Sequence, residues 1–282
     1  MGGIFSEVMQ KLMAAGVESP RLETRLLIAA AAEIESAQVF SDIVLNEAQT
    51  VKLRNMTAQR TAHKPLDKIL GHRAFYKADF AVNNSVLSPR PDTEVLVEKA
   101  LQYMPQNAYN ILDLGTGSGC IIESILLEKP SLRGAAVDIS TDALKTARKN
   151  AEKLELDGRL DFICADWFAT DFLVRIGQKF DVIVSNPPYI PTADIATLAP
   201  EVKDYDPMQA LDGGADGYVS YRRIAELTPE LLSSGGYILL EAGIGQAQTI
   251  ADVFEQKGLK LIEIADDLNG IARCVILQKT SD

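Results

Sequence analysis

From residue 107 onward, short apolar runs suited to strands alternate with amphipathic helical ones, which narrows this part of the chain to one kind of architecture. The periodicities predict strands at 111–114, 135–137, 160–164, 180–184, 237–240, 259–264 and 273–277. Predicted helices over 119–127, 141–154, 217–232 and 247–256 fall between them, with Ser140 placed to cap the second. Repeated βα units of this kind imply an α/β fold whose mostly parallel sheet is covered on both faces. Ligands of such sheets bind beyond the carboxyl ends of the strands, so the residues at those ends carry the functional information.

The first 70 residues follow another rhythm. Ile4, Phe5, Val8, Leu12 and Ala15 share one helical face, and Leu22, Leu26 and Leu27 resume the period over 21–32. A third helix is predicted over 47–61, with Leu45, Val51, Leu53 and Met56 inward. We therefore expect a helical domain over 1–70, a hairpin linker over 71–88 and the α/β domain over 89–282. Charge supports two modules. Lys and Arg total 28 against 39 Asp and Glu, a net of −11, yet residues 1–70 hold eight of each sign, so the acidic excess belongs to the remainder. That balance disfavours long-range attraction to nucleic acid or an anionic membrane. Three cysteines, each in a run that reads as buried, make no disulfide framework, and His63 and His72 form no metal-binding spacing with them. With no secretory or membrane-spanning apolar run, the expectation is a cytoplasmic chain without a metal.

The loop after the first strand reads Asp113-Leu114-Gly115-Thr116-Gly117-Ser118-Gly119. Its glycines permit a tight turn and close approach of backbone to a ligand. An aspartate at the strand end suits a cationic amino-acid group better than a pyrophosphate. Asp138 ends the next strand, 25 residues after Asp113, where a carboxylate can accept both hydroxyls of a ribose. The pattern thus favours an adenosyl ligand carrying an ammonium, such as S-adenosylmethionine. Asp166 and Trp167 close the third strand: Asp166 could take an adenine amino group and Trp167 or Phe168 could form an apolar wall, or the pair could serve as a helix cap and a core aromatic.

The fourth strand runs into Asn186-Pro187-Pro188-Tyr189. Consecutive prolines remove two backbone donors, hold the chain extended and leave their carbonyls as acceptors. With the Asn186 side-chain oxygen and the flat face of Tyr189, the motif fits a planar NH2 group on an sp2 carbon, either an amide or an exocyclic base amine.

Asn186-Pro187-Pro188-Tyr189 resembles the signature of class I S-adenosylmethionine enzymes that methylate planar nitrogens. With Pro65 through Phe75, Ser88-Pro89-Arg90-Pro91-Asp92-Thr93-Glu94, Ala210 through Gly217 and Gly235 through Glu241, nearly the whole chain resembles the HemK/PrmC family, the peptide chain release factor glutamine N5-methyltransferases. The resemblance implies a seven-stranded, mostly parallel Rossmann-like methyltransferase domain, a hairpin linker and a helical N-terminal domain that docks substrate. It implies transfer of methyl from S-adenosyl-L-methionine, leaving S-adenosyl-L-homocysteine, to the glutamine of a Gly-Gly-Gln motif in class 1 release factors, with the enzyme acting as a cytoplasmic monomer in translation termination. It places Asp113, Gly115, Thr116, Gly117, Asp138, Asp166, Trp167 and Asn186 on the cofactor. Asn186, Pro187 and Tyr189 take the catalytic roles, and Pro188, Phe75 and Arg90 join them around the substrate. The family usually has Glu-Pro where this chain has Asp206-Pro207, and Leu-Glu-Ile-Gly where it has Leu240-Glu241-Ala242-Gly243. The alternatives are an adenine N6-methyltransferase acting on DNA or RNA, and a glutamine methyltransferase acting on another protein.

Overall fold

The computed structural model describes residues 3–39, 43–156 and 158–280. The chain divides into two compact units, one formed by residues 1–72 and 199–205, the other by 73–198 and 206–282.

The larger unit is built on a seven-stranded sheet. A short hairpin, β1 (His72–Phe75) with β2 (Ala78–Ala81), precedes it in the chain. The sheet comprises β3 (Asn110–Leu114), β4 (Arg133–Asp138), β5 (Leu160–Cys164), β6 (Phe180–Ser185), β7 (Leu232–Glu241), β8 (Leu259–Asp266) and β9 (Ala272–Lys279). Their order is β5-β4-β3-β6-β7-β9-β8. Pairings from β5 through β7 are parallel, and β9 lies antiparallel to both β7 and β8. All the expected strands are present. β7 starts earlier than expected, at Leu232 directly after the Val219–Leu231 helix, with an irregular register opposite Phe180 and Val182.

Alternation along the strands builds the two faces of the core. Leu112, Leu114 and Ile183 pack with Ile224, Ile250 and Phe254 on one side. Ile111, Val182 and Val184 pack with Leu96, Ile122 and Ile125 on the other. Each such buried side chain contributes about 1.5–3 kcal/mol, so a register slip would forfeit several at once. β3 pairs β4 on one edge and β6 on the other. The strand order therefore reverses at β3 and β6, and the loops leaving them open a crevice at the carboxyl end of the sheet.

In the smaller unit, helices Ile4–Ala14, Pro20–Ala32 and Glu47–Thr61 bury Leu12, Leu27, Ile28 and Leu53. Asn46 and Gln49 exchange backbone and side-chain hydrogen bonds at the start of the third helix. Two expected inward residues face solvent: Leu22 and Val51 are exposed. The buried stripe of the third helix runs Leu53, Met56, Thr57, Arg60, and Val51 lies off it. The second helix buries Thr24, Leu27, Ile28 and Ala31, where a threonine holds the place that hydropathy alone would give to a leucine. Residues 199–205 belong to this unit, although their position in the sequence puts them inside the α/β region. Arg60, itself buried, binds Glu23 at 2.5 Å and Glu201 at 3.3 Å. Lys68 Nζ donates to the Tyr205 carbonyl, and the Tyr205 hydroxyl donates to the Ala62 carbonyl. No helix among the described residues is long and apolar enough to cross a membrane.

Candidate active site

At the switch between β3 and β6 lies a cavity of about 400 Å³, within the range of small-molecule sites. Its floor is the loop after β3. Gly115, Gly117 and Gly119 have φ of 78°, 56° and 84°, a region that a Cβ disfavours. Gly115 and Thr116 both donate their amides to the Val137 carbonyl at 2.9 Å, which ties the loop to β4. A Cβ on Gly115 would meet the Trp167 ring at 3.4 Å, an ordinary contact, so it is the backbone conformation that calls for glycine there.

Asp138, at the end of β4, lines the cavity. Its Oδ2 accepts from the Gly117 amide at 2.9 Å and its Oδ1 from the Ser140 amide at 2.8 Å, while Ser140 Oγ caps the next helix by accepting from Ala143 N. Burial raises this carboxyl above its ordinary value, and the amides of Ser140 and Gly117 oppose the shift. Asp166, Trp167 and Phe168 line the same cavity from the end of β5. Asp166 Oδ1 also accepts from Phe168 N, and Arg223 Nε holds the Trp167 carbonyl at 2.8 Å. Asp166 lines the cavity and does not cap a helix: the next helix starts at Phe172 with Asp171 at its N-cap, and the Asp166 bond to Phe168 N belongs to a local turn. Cys164 on β5 is only half-buried, unlike Cys120 and Cys274.

Asp113 does not face the cavity. It is fully buried beneath the loop, where Oδ2 accepts from the Thr116 hydroxyl at 2.7 Å and Oδ1 has no partner. Burial pushes its carboxyl up to about 7, with the Thr116 hydrogen bond opposing and the Asp138 charge adding. Both faces of β3 are covered, so a side chain one residue short of the strand end is enclosed by the core. Phe75 is likewise enclosed, packed edge-on against Phe80 in the core and absent from the cavity wall.

Asn186 and Pro188 line the cavity directly after β6, while Pro187 and Tyr189 do not. Pro187 is buried and Tyr189 half-buried. Burial and the nearby Glu241 push the Tyr189 hydroxyl up to about 12. The Asp212-Gly213-Gly214 strip lies alongside this loop. Ile190 N donates to Leu211 O, Gly213 N to Ile190 O and Thr192 N to Gly214 O, between 2.8 and 3.0 Å. Arg90 also lines the cavity and binds the buried carboxylate of Asp206 at 2.9 Å, so Asp206 reaches it without the additional methylene of a glutamate.

Four residues around the Asn-Pro-Pro-Tyr loop were not assigned roles from sequence. Thr93 Oγ1 accepts from Asn186 Nδ2 at 3.5 Å, and Gln246 Nε2 donates to the Tyr189 carbonyl at 3.0 Å. Glu241 is buried at the end of β7. Arg273 pairs with Asp267 at 3.2 Å and donates to the Ala242 carbonyl. The available signal for Glu241 is a charged residue closing the otherwise apolar run Tyr237-Ile238-Leu239-Leu240. No group of three or more metal-ligating side chains is assembled among the described residues.

The sheet order, the glycine loop after β3 and the cavity shared with the loop after β6 define the class: this is a class I S-adenosylmethionine-dependent methyltransferase fold. Residues 91–200 match the Methyltransferase small domain family and residues 4–71 the PrmC N-terminal domain. A methyltransferase structure from Pyrococcus furiosus shares the fold, with a TM-score of 0.53 at 17% identity over 73% of this chain and 91% of that one. The release factor glutamine methyltransferase of Rhodospirillum rubrum is 41% identical over 99% of this chain and 85% of its own length. That of Geobacter sulfurreducens is 42% identical over 92% of this chain and 90% of its own length. The chain belongs to the release factor glutamine methyltransferase family.

Proposed function

We propose that this enzyme transfers a methyl group from S-adenosyl-L-methionine to the side-chain amide nitrogen of the glutamine in the Gly-Gly-Gln motif of class 1 release factors, acting as a cytoplasmic monomer. The observation that carries this reading is that Asn186 and Pro188 form part of the wall of the cavity that Gly115, Gly117, Asp138 and Trp167 also line. An acceptor held by the first group then lies beside a donor held by the second.

The donor set fits the cofactor. The glycine loop leaves room for a methionyl chain against bare backbone. Each Asp138 oxygen retains a lone pair for a ribose hydroxyl beyond its amide partner. The Trp167 indole offers an apolar face to adenine, and Asp166 an acceptor to its amino group. The role the resemblance gives Asp113 becomes indirect, through Thr116, which lines the cavity itself. When bound, the cofactor supplies a methyl group already activated by the sulfonium.

The protein must then prepare an amide nitrogen whose lone pair is delocalised into its carbonyl. Asn186 Oδ1 and the Pro187 carbonyl accept its two N–H bonds, which favours a localised lone pair as positive charge develops there. Tyr189 would fix the amide plane, orientation of the nitrogen toward the donor would supply much of the remaining rate, and the nitrogen would give up one proton to solvent as the methyl group is gained. Arg90 and the adjoining Ser88-Pro89 stretch border the acceptor side. The helical unit supplies a further docking surface, because a Gly-Gly-Gln tip offers little side-chain surface for discrimination.

The test is incubation of the full chain with a class 1 release factor and the methyl donor, followed by mass spectrometry that localises the product. One methyl group on the Gly-Gly-Gln glutamine is expected. Modification of another residue, or of nucleic acid in preference to the factor, would overturn the assignment.

A further inference from the structure

Glu241 has no role in the chemistry described above, yet its placement demands one. In the parallel pairing of β6 with β7, Ser185 is level with Leu240. The next residue on each strand is Asn186 and Glu241, so the buried carboxyl comes up beside the side chain that grips the acceptor. Glu241 is 2% exposed, and its Oε2 has no hydrogen-bond partner. Arg273, the nearest guanidinium on the neighbouring strand, directs its donors to Asp267, Asp92 and the Ala242 carbonyl. A carboxyl enclosed without its own ion pair is costly to keep, and a structural role at this position would be served by any apolar side chain.

Beside it stands Thr93, also buried, whose Oγ1 lies 3.5 Å from Asn186 Nδ2 as acceptor. Having accepted from Asn186, this hydroxyl still has its own proton to donate. Thr93 and Asn186 both lower the proton affinity of Glu241 against the effect of burial, which places their donors close to its carboxyl. The three groups are placed for a directed chain, in which the amide donates to the hydroxyl and the hydroxyl keeps its own proton for the neighbouring carboxyl.

We propose that Glu241 is a positioning residue which, with Thr93, takes up the Asn186 amide protons and so fixes Asn186 with Oδ1, never Nδ2, turned toward the acceptor N–H. The two ends of an asparagine amide are nearly the same shape, and a flipped Asn186 would meet the substrate donor to donor. When ionised, the carboxyl also polarises the amide, enriching Oδ1 in negative charge as the acceptor nitrogen becomes cationic. This inference rests on the reading of Asn186 given above and deepens it.

Five full-length variants test it: Glu241→Gln, Thr93→Val, Thr93→Ser, Asn186→Ala and the double variant Glu241→Gln with Asn186→Ala, each with kcat and KM for the release factor and Kd for S-adenosylhomocysteine. For Glu241→Gln and Thr93→Val we expect kcat to fall about tenfold or more, the scale of one lost hydrogen bond to a charged group, with KM and Kd within about twofold of the parent. Thr93→Ser should restore most of the rate, since it returns the hydroxyl. Adding Glu241→Gln to Asn186→Ala should cost little more than Asn186→Ala alone. Parent-like kcat in Glu241→Gln, or a rate loss matched by equal losses in KM and Kd, overturns the positioning role. If Asn186→Ala itself keeps its rate, the reading of Asn186 fails. If only Asn186→Ala loses rate, that reading stands and this inference falls.

Discussion

Gln246 Nε2 donates to the carbonyl oxygen of Tyr189 at 3.0 Å, while Gln246 Oε1 accepts from the Gly243 amide at 3.1 Å. One side chain thereby ties the end of the Asn-Pro-Pro-Tyr loop to the turn after β7. Net contributions of about 0.5–1.5 kcal/mol per bond predict that Gln246→Leu loses about 1–3 kcal/mol of stability. Because the loop it anchors carries the acceptor site and not the glycine floor, kcat should fall while S-adenosylhomocysteine affinity holds. Urea denaturation and a binding titration on the same sample check both halves.

Gly213 is the tighter constraint. A Cβ there would lie 2.7 and 2.8 Å from the Cα and carbonyl carbon of Tyr189 and 2.9 Å from the Gly217 Cα. All three are backbone atoms, which cannot move aside as a flexible side-chain end could. Gly213→Ala should therefore push the Tyr189 backbone out of place, with an overpacking cost of about 1–3 kcal/mol and a marked loss of kcat. Gly245→Ala is the informative control. Its Cβ meets nothing within 4 Å, but its φ of 78° is unfavourable for alanine. It should lose about 1 kcal/mol of stability with kcat retained, which thermal melts and rate measurements would show.

Asn186→Ala removes the only side-chain acceptor proposed for the substrate amide. Loss of one well-aimed contact of this kind costs about 3–4 kcal/mol of transition-state stabilisation, so kcat should fall by about two to three orders of magnitude. Asn186 is only one of the residues expected to hold the cofactor, so its Kd should change far less than kcat. Single-turnover rates beside equilibrium binding separate the two quantities, and equal losses would remove the acceptor role.

Much of this site was legible in the sequence because its residues occupy strand ends, where periodicity stops and chemistry shows. Gly115, Gly117, Asp138, Trp167 and Asn186 all reach the cavity. Asp113 was misread for a local reason: an acidic residue before a glycine loop looks exposed, yet both faces of β3 are covered and the carboxyl is enclosed. Thr93, Glu241 and Gln246 were hidden for another reason. Their partners depend on strand register and on loops meeting across the sheet, as when Ser185 comes level with Leu240; local pattern marks Glu241 only as a charge closing an apolar run and names none of its neighbours. The same holds for Glu201, whose partner Arg60 lies 141 residues away along the chain. Leu22 and Val51 show the limit of hydropathy, since the buried helical stripes were completed by Thr24 and Arg60 in place of apolar side chains.

Trp167 is the chain's single tryptophan and lines the cavity, so its emission reports on that site alone. Titration with S-adenosylhomocysteine should change its intensity or wavelength in a saturable manner, because an adenine stacked near the ring replaces water. Trp167→Ala should weaken cofactor binding by about 1–3 kcal/mol, the scale of an aromatic–base stack, measured calorimetrically since the variant lacks the signal. Emission that ignores a ligand shown calorimetrically to bind would place the adenine elsewhere.

Three buried acids near the glycine loop and the β7 end give the fold a pH dependence of defined sign. Glu123 is fully buried with neither carboxyl oxygen hydrogen-bonded, and burial together with the Asp113 charge raises it well above the ordinary carboxylate range. Asp113 and Glu241 are each pushed up to about 7, chiefly by burial. In the unfolded chain these groups ionise near pH 4, so between about pH 4 and 7 the native state holds protons that the unfolded state has released. Their stabilising contribution is complete below that window and is lost as pH rises through it, each proton changing stability by about 1.4 kcal/mol per pH unit. Asp216, lowered to about 2 by Arg222, acts only at more acidic pH and leaves the window untouched. Denaturation from pH 5 to 8 should therefore show falling stability. Glu123→Leu removes one of the three groups, so it should be more stable than the parent at pH 8 and should flatten the slope. An unchanged slope in that variant would mean that Glu123 is ionised in the native protein and finds a partner for its charge.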